Sequence, residues 1–450
     1  MISIPSKLEA QLATTKQKHL LTFWGELNDE ERTELIDQLE SIDFDLFTTL
    51  QQQADEEKEK AIEPCELVRL THEYRKTGIA SIQNGEIGVL TVAGGQGTRL
   101  GWSGPKGTFP ATPVTGKSLF QVIAEQIVFA SKKYNTTIPW YIMTSIENDA
   151  VTRSFLLDNN CFGLDRTDIF LFTQNEIPAV DAGGNMLLAE KNKIAVNPDG
   201  HGGVITALQQ SGGLDEMATR GVKYLSYVQI DNPLARVIDP NFIGLHLCDQ
   251  SSGEASSKCV LKTNPNERVG VFCKVGGDVS VVEYSDLPKE KAVEVDNKGE
   301  LIYAGGSIAL HLFSVEFLQS AVDKMQWHKA HKKVPYVELS TGHKVDPESP
   351  NAFKYEKFAF DVLPFAEKSL VVETQREEEF APIKNASGQD SPETSHVLQQ
   401  KRAEGWLSSR GVDVSEQAVI EISPLSASCA EDLDAMSLPA SIDENETLVL

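Results

Sequence analysis

The stretch that decides the fold is Ile87-Gly88-Val89-Leu90-Thr91-Val92-Ala93-Gly94-Gly95-Gln96-Gly97-Thr98-Arg99-Leu100. It begins as a short apolar run rich in β-branched residues, which is how a buried strand reads. It ends in a glycine-rich turn, where the backbone can bend sharply and aim amide N–H groups at a phosphate or a base edge. Pro105-Lys106 follows shortly after, so Arg99 and Lys106 would bring positive charge to that turn. Two better-known glycine motifs fail on spacing. A GxGxxG fingerprint begun at Gly95 and Gly97 finds Leu100 in place of its third glycine, and the Gly116-Lys117-Ser118 triplet has Ala111 where a P-loop needs its first glycine. The triplet therefore reads as a helix start.

Outward from this centre, residues 1–80 read as helical. Asn28 with Glu31 makes a capping box, and Leu35, Leu39 and Ile42 follow at helical spacing. Gln51–Lys60 is polar and reads as solvated. Downstream, Ser118 and Gln121 suggest a second capping box, with Phe120, Ile123 and Ile127 as the apolar stripe of a crossover helix. Trp140–Thr144, Ile169–Phe172 and Tyr224–Ile230 are further strand candidates. Short strands alternating with amphipathic helices predict an α/β domain on a largely parallel sheet, spanning residues 81–375. Residues 376–450, charged and then acidic, read as a small carboxy-terminal domain or tail. No internal repeat is evident.

A chain of 450 residues exceeds the usual reach of one core, so a large central domain with attachments is expected. Its formal net charge of −25 argues against a nucleic-acid partner, because that affinity rests on cations neutralising phosphates; a phosphate ligand must be held by a local site. Six cysteines without a CxxC pair read as reduced thiols, which suits the cytoplasm. Neither a signal peptide nor a membrane-spanning run is seen, so no membrane partner is expected. Oligomeric state is not legible.

GGQGTRLGWSGPK (Gly94–Lys106) resembles the signature of the sugar-nucleotide pyrophosphorylases, and in detail that of the UDP-N-acetylhexosamine pyrophosphorylases. The resemblance extends in order through HLLTFWGEL (His19–Leu27), TQNEIPA (Thr173–Ala179), NPDGHGG (Asn197–Gly203), QIDNPL (Gln229–Leu234), DPNFIG (Asp239–Gly244), GVFCKVGGDVSVVEYSD (Gly270–Asp286), HKAHKKVPY (His328–Tyr336), KYEKFAFD (Lys354–Asp361) and FAPIKNA (Phe380–Ala386). It implies a GT-A or Rossmann-like α/β nucleotidyltransferase domain with a mixed, mostly parallel sheet, flanked by a helical amino-terminal region and a small carboxy-terminal domain. It further implies a Mg²⁺-dependent uridylyltransferase that makes a UDP-sugar and pyrophosphate from UTP and a sugar 1-phosphate. By the same resemblance Ala93, Gly94, Gly95, Gln174 and Gly200 would hold the uridine, and Arg99, Lys106 and Lys384 the phosphates. Asp231 would hold the metal, and His201, Glu283 and Ser307 would line the sugar pocket.

Singly, these residues have plainer readings. Asp231-Asn232-Pro233 could be a turn after a strand, Lys384-Asn385 a surface loop, and His201 an exposed loop residue. The ordered set favours the site. His328 and His331 lack a carboxylate or cysteine partner and read as a solvated basic stretch, and Trp140–Met143 reads as core strand. A non-catalytic sensor of UTP or UDP-sugar stays open beside the enzyme, which the presence of Lys106, Asp231 and Lys384 favours. The family's PDGNGG and AGNIANH appear here as PDGHGG and AGGSIALH, with His201, Ser307 and Leu310 departing at the sugar pocket. N-acetylglucosamine 1-phosphate is ranked first and glucose 1-phosphate second.

Overall fold

The computed structural model describes residues 2–52 and 61–450, residues 51 and 52 by backbone alone; most of the polar Gln51–Lys60 stretch lies outside them. The chain forms two compact units that interleave in sequence: Met1–Lys60, Gln174–Gly203 and Met325–Ala359 make the first, and the remainder makes the second.

In the first unit, helices α1 (Ser6–Thr14), α2 (Asp29–Ser41) and α3 (Phe44–Gln52) present Leu8, Leu12, Leu35, Leu39 and Phe47 to a shared core. The capping box at Asn28 forms as its spacing implied, the Asn28 side chain accepting from Glu31 N–H and the Glu31 carboxylate accepting from Asn28 N–H. Ile177, Met186, Leu188, Ile194, Val337 and Tyr355 complete the core from short antiparallel strand pairs. Two distant insertions thus close over helices that cannot bury an apolar face alone.

The second unit holds a sheet of eleven strands: β1 (Ile62–Pro64), β2 (Val68–Arg69), β3 (Ile87–Val92), β4 (Trp140–Thr144), β5 (Ile169–Thr173), β6 (Tyr224–Gln229), β7 (Ala255–Leu261), β8 (Val271–Val275), β9 (Asp278–Val282), β10 (Gly305–Ser314) and β11 (Leu370–Glu373). The main row runs β2-β11-β7-β10-β6-β3-β4-β5. Five of its seven pairings are parallel and the two made by β10 are antiparallel, so the fold is α/β with a mixed, mostly parallel sheet. The helical reading of residues 1–80 holds again from Arg75, where a helix runs to Gln83, but fails at Ile62–Pro64 and Val68–Arg69, which are edge strands on β8 and β11. Their partners lie some hundreds of residues away, a contact no local periodicity reports.

Helix α4 (Leu119–Tyr134) crosses over between β3 and β4, burying Phe120, Ile123 and Ile127 with Val89, Trp140 and Ile142. Ser118 caps it by accepting from Gln121 N–H, but the Gln121 side chain is drawn to Glu125, to which its amide donates, and does not accept from Ser118 N–H, so only half of the expected capping box forms. Trp140 to Met143 are wholly buried, as a core strand requires. At the carboxyl end, helix α5 (Pro392–Ser408) and two small strand pairs gather a core around Trp406, Leu407, Ile420 and Leu433. Glu421 ties that segment to the sheet domain by accepting from Val114 and Thr115 N–H (2.8 and 2.9 Å).

Candidate active site

Parallel β3 and β6 are neighbours, with Val92 opposite Gln229, so the glycine turn after β3 and the residues after β6 leave the sheet side by side at its carboxyl edge. That edge is where open α/β sheets place ligands. The turn is a built structure. Ala93 N–H donates to Met143 O (2.8 Å), the Asn148 amide donates to Gly94 O (2.8 Å), and Gly97 N–H donates to Gly104 O (2.9 Å). Lys106 N–H donates to Gly95 O (3.0 Å), which folds the loop back and returns Lys106 to the glycines. A Cβ on Gly97 would stand 2.7 Å from Trp102 Cβ and one on Gly107 2.2 Å from the Phe120 ring, so packing demands glycine there. A Cβ on exposed Gly95 would meet no atom within 4 Å, so packing does not demand glycine there.

Asp231 follows β6 and receives the Lys106 ammonium at 3.3 Å, with side-chain exposures of only 16% and 10% respectively. Burial pushes the Asp231 carboxyl up, but the Lys106 and Lys384 ammoniums outweigh that and hold it below the usual carboxylate range. Lys384 reaches this place on a segment tied down at both sides: Ile383 N–H donates to Asp231 O (2.8 Å) and Ala386 N–H to Arg99 O (3.1 Å). Ile383 is buried in the main core while Lys384 is half-exposed. The second unit therefore gathers Lys106, Asp231 and Lys384 beside Gly94 and Gly95, with an exposed Arg99 on the same loop.

Glu283 and Ser307, also in this unit, meet around Gly270. Ser307 N–H donates to Gly270 O (2.8 Å), and a Cβ on Gly270 would lie 3.3 Å from Glu283 Oε1. The β7–β10 register slips between Lys258 and Cys259, and Ala309 adopts φ +55°, a left-handed conformation uncommon outside glycine. Leu310 is buried in the main core.

Gln174, Gly200 and His201 lie in the first unit. The Gln174 amide donates to Gly200 O (2.6 Å), and Gly200 has φ +85° with a would-be Cβ 2.3 Å from Lys357 O, so no other residue fits. His201 is not a free loop residue: its Nδ1 accepts from Ala359 N–H (3.2 Å) and its ring packs on Phe358 (5.3 Å between centroids). Buried Asp199 was missed by sequence reasoning although its motif was in view. Burial pushes its carboxyl up to about 6, against a hydrogen bond from Gln174 and the charge of Lys357. His328–Lys332 is a largely exposed strand paired with Ala352–Glu356, with His331 stacked on Phe353. Among the described residues no three His, Cys, Asp or Glu side chains are grouped to hold a metal.

A glycine turn, one carboxylate and paired lysines at the carboxyl edge of such a sheet define a nucleotidyltransferase fold built to handle phosphates. The chain belongs to the UTP–glucose-1-phosphate uridylyltransferase family, whose model matches residues 41–404. It is 35% identical to UDP-N-acetylhexosamine pyrophosphorylase-like protein 1 of Xenopus tropicalis, over 93% of this chain and 91% of that one. It is 34% identical to UDP-N-acetylglucosamine diphosphorylase 2 of Arabidopsis thaliana, over 93% and 89%. The crystal structure of the uridine diphosphate N-acetylglucosamine pyrophosphorylase from Trypanosoma brucei, in complex with inhibitor, superposes with a TM-score of 0.83 at 27% identity, covering 96% of this chain and 95% of that one.

Proposed function

We propose that the protein is a uridylyltransferase that joins UTP to a sugar 1-phosphate, most readily N-acetylglucosamine 1-phosphate, and releases pyrophosphate. The observation that carries this reading is the Lys106–Asp231–Lys384 cluster beside the glycine turn, in a chain of this family. In the reaction a sugar phosphate oxygen attacks the α-phosphorus of UTP and the bond to the β-phosphate breaks. The nucleophile is already an anion, so no protein nucleophile or general base is needed. What is needed is alignment and cancellation of repulsion between two polyanions. Lys106, Lys384 and Arg99 supply fixed positive charge for that purpose. Within the second unit, Ala93, Gly94 and Gly95 fit the recognition of the uridine, and Glu283 and Ser307 the sugar.

Asp231 fits a divalent cation: its carboxyl is held ionised, and a single protein carboxylate suits Mg²⁺, which takes most remaining ligands from substrate phosphates and water. When bound there, Mg²⁺ would supply the charge that screens the phosphates from one another. The cytoplasm is the proposed compartment, supported by six unpaired cysteines, five of them buried. Among the described residues no helix is long and apolar enough to cross a membrane.

Two expectations follow from the site. Gly107→Ala should lower stability by about 1–3 kcal/mol through overpacking against Phe120, whereas Gly95→Ala should leave the unfolding midpoint unchanged and raise the KM for UTP. Equal midpoints for both variants, or an unchanged KM for Gly95→Ala, would contradict this division of roles. The second concerns the sugar. Serine is shorter than the family's asparagine at 307, and leucine at 310 offers no hydrogen bond, so the acetamido group loses partners. An unpaired amide costs about 1–3 kcal/mol, so the preference for N-acetylglucosamine 1-phosphate over glucose 1-phosphate should be only about tenfold to a hundredfold in kcat/KM. Ser307→Asn should widen it. Wild-type discrimination above about 10⁴ would show that other residues set the choice. Pyrophosphate release with a panel of glucose, galactose, N-acetylglucosamine and N-acetylgalactosamine 1-phosphates tests the whole reading. Release with none of them sinks it in favour of a sensor.

A further inference from the structure

The residue after Asp231 has no assigned role, yet it is only 6% exposed and spends both ends of its side-chain amide on one segment. Asn232 Nδ2 donates to Glu379 O (2.7 Å), and Asn232 Oδ1 accepts from Ala381 N–H (3.0 Å). Two residues further along the same segment, Ile383 N–H donates to Asp231 O (2.8 Å). The contacts fall at alternate residues, 379, 381 and 383, running from the end of the short helix Arg376–Glu379 into the segment that follows it. A backbone partner could not continue this ladder, because the next residue, Pro233, has no N–H to donate. The Asn232 side chain stands in for the missing peptide group, offering one donor and one acceptor in the right order.

The far end of the segment is equally fixed. Glu379 is 3% exposed; its carboxylate takes the Lys258 ammonium at 2.5 and 2.7 Å and a hydrogen bond from Thr374 Oγ1 (2.8 Å), and Lys258 also pairs with Asp239 at 2.7 Å. Ser395 Oγ donates to Ala381 O (2.8 Å) from helix α5. Ile383 is anchored in the main core while Lys384, the next residue, stays half-exposed at a place where its charge depresses the Asp231 carboxyl.

We propose that Asn232 is a positioning residue for the transfer reaction: it clasps the segment 379–383 to the end of β6 and so sets Lys384 at the phosphate site beside Asp231. The proposal rests on the reading of Asp231 and Lys384 given above. It does not make Asn232 touch substrate. Its effect on rate must therefore pass through Lys384, which separates it from a residue that merely supports the fold.

The test is a double-mutant cycle on kcat with UTP, Mg²⁺ and N-acetylglucosamine 1-phosphate, with thermal unfolding followed in parallel. Lys384→Ala alone is expected to lower kcat by roughly 10²–10³. Asn232→Ala is expected to lower it by about 10², the scale of a displacement near 1 Å at a reacting centre. Adding Lys384→Ala to Asn232→Ala should then cost less than about fivefold more, because the lysine is already misplaced. Asn232→Asp keeps the shape and the acceptor but loses the donor; it should fold if the alanine variant does not, lose about tenfold, and mask Lys384→Ala in the same direction. If the two losses multiply in full, or if Asn232→Ala and Asn232→Asp leave kcat unchanged, the clasp has no role in placing Lys384 and the proposal is overturned while the site stands. If Lys384→Ala alone keeps wild-type kcat, the site reading fails, and the proposal fails with it.

Discussion

Asp231→Ala is expected to reduce uridylyl transfer by at least about 10³-fold, with secondary structure unchanged. The carboxylate pairs with Lys106 just after β6, and the two lysines outweigh the burial that pushes its carboxyl up. Removing it takes away the group that would hold Mg²⁺ and leaves Lys106 without its 3.3 Å partner. Chelator should abolish wild-type activity and added Mg²⁺ restore it, since the fixed charges of Lys106, Lys384 and Arg99 leave much of the repulsion between two polyanions uncancelled. Circular dichroism checks the fold, and initial rates with and without chelator check the chemistry. Full turnover in chelator, or in a folded Asp231→Ala protein, would remove Asp231 from the metal role.

Lys106→Ala should lower kcat by roughly 10²–10³ while the protein remains folded, the usual consequence of deleting one preorganised cation or donor from a transition-state site. The structure adds a signature that a nonspecific loss would lack. Lys106 is the first of the charges that lower the Asp231 carboxyl, so its removal leaves Lys384 to oppose burial without it and the carboxyl rises. Activity that needs the ionised carboxylate is lost as pH falls through its pKa. The acid limb of the residual pH–rate profile should accordingly move to higher pH in Lys106→Ala. A limb at the wild-type position, or near-normal kcat, would show that Lys106 is not electrically coupled to the reacting groups.

The sheet domain was legible because its strands are locally written: Ile87–Val92 and Trp140–Thr144 appear in the structure with the limits their apolar runs suggest. The grouping of Asp231 with Lys384 was legible through resemblance alone, since no spacing rule links residues more than a hundred positions apart. Three things were not legible. Edge strands β1 and β2 owe their form to distant partners at Cys273–Val275 and Val372–Glu373. The bulge at Ala309 follows from a register slip that leaves no mark in composition. Asn232 and Asn148 look like ordinary turn and helix residues until their amides are seen to hold backbone carbonyls at Glu379 and Gly94. The half-formed cap at Ser118 shows the opposite failing, a matching motif in which the Gln121 amide donates to Glu125 and the reciprocal bond from Ser118 N–H does not form.

The central claim is that this chain moves a uridylyl group from UTP to a sugar 1-phosphate. Phosphorus NMR of the purified full chain with UTP, Mg²⁺ and N-acetylglucosamine 1-phosphate observes that transfer directly. The expected result is growth of the paired diphosphate resonances of a UDP-sugar, with one pyrophosphate released for each sugar phosphate consumed. UTP that persists unchanged, or decays to UMP and pyrophosphate while the sugar phosphate stays intact, would contradict it.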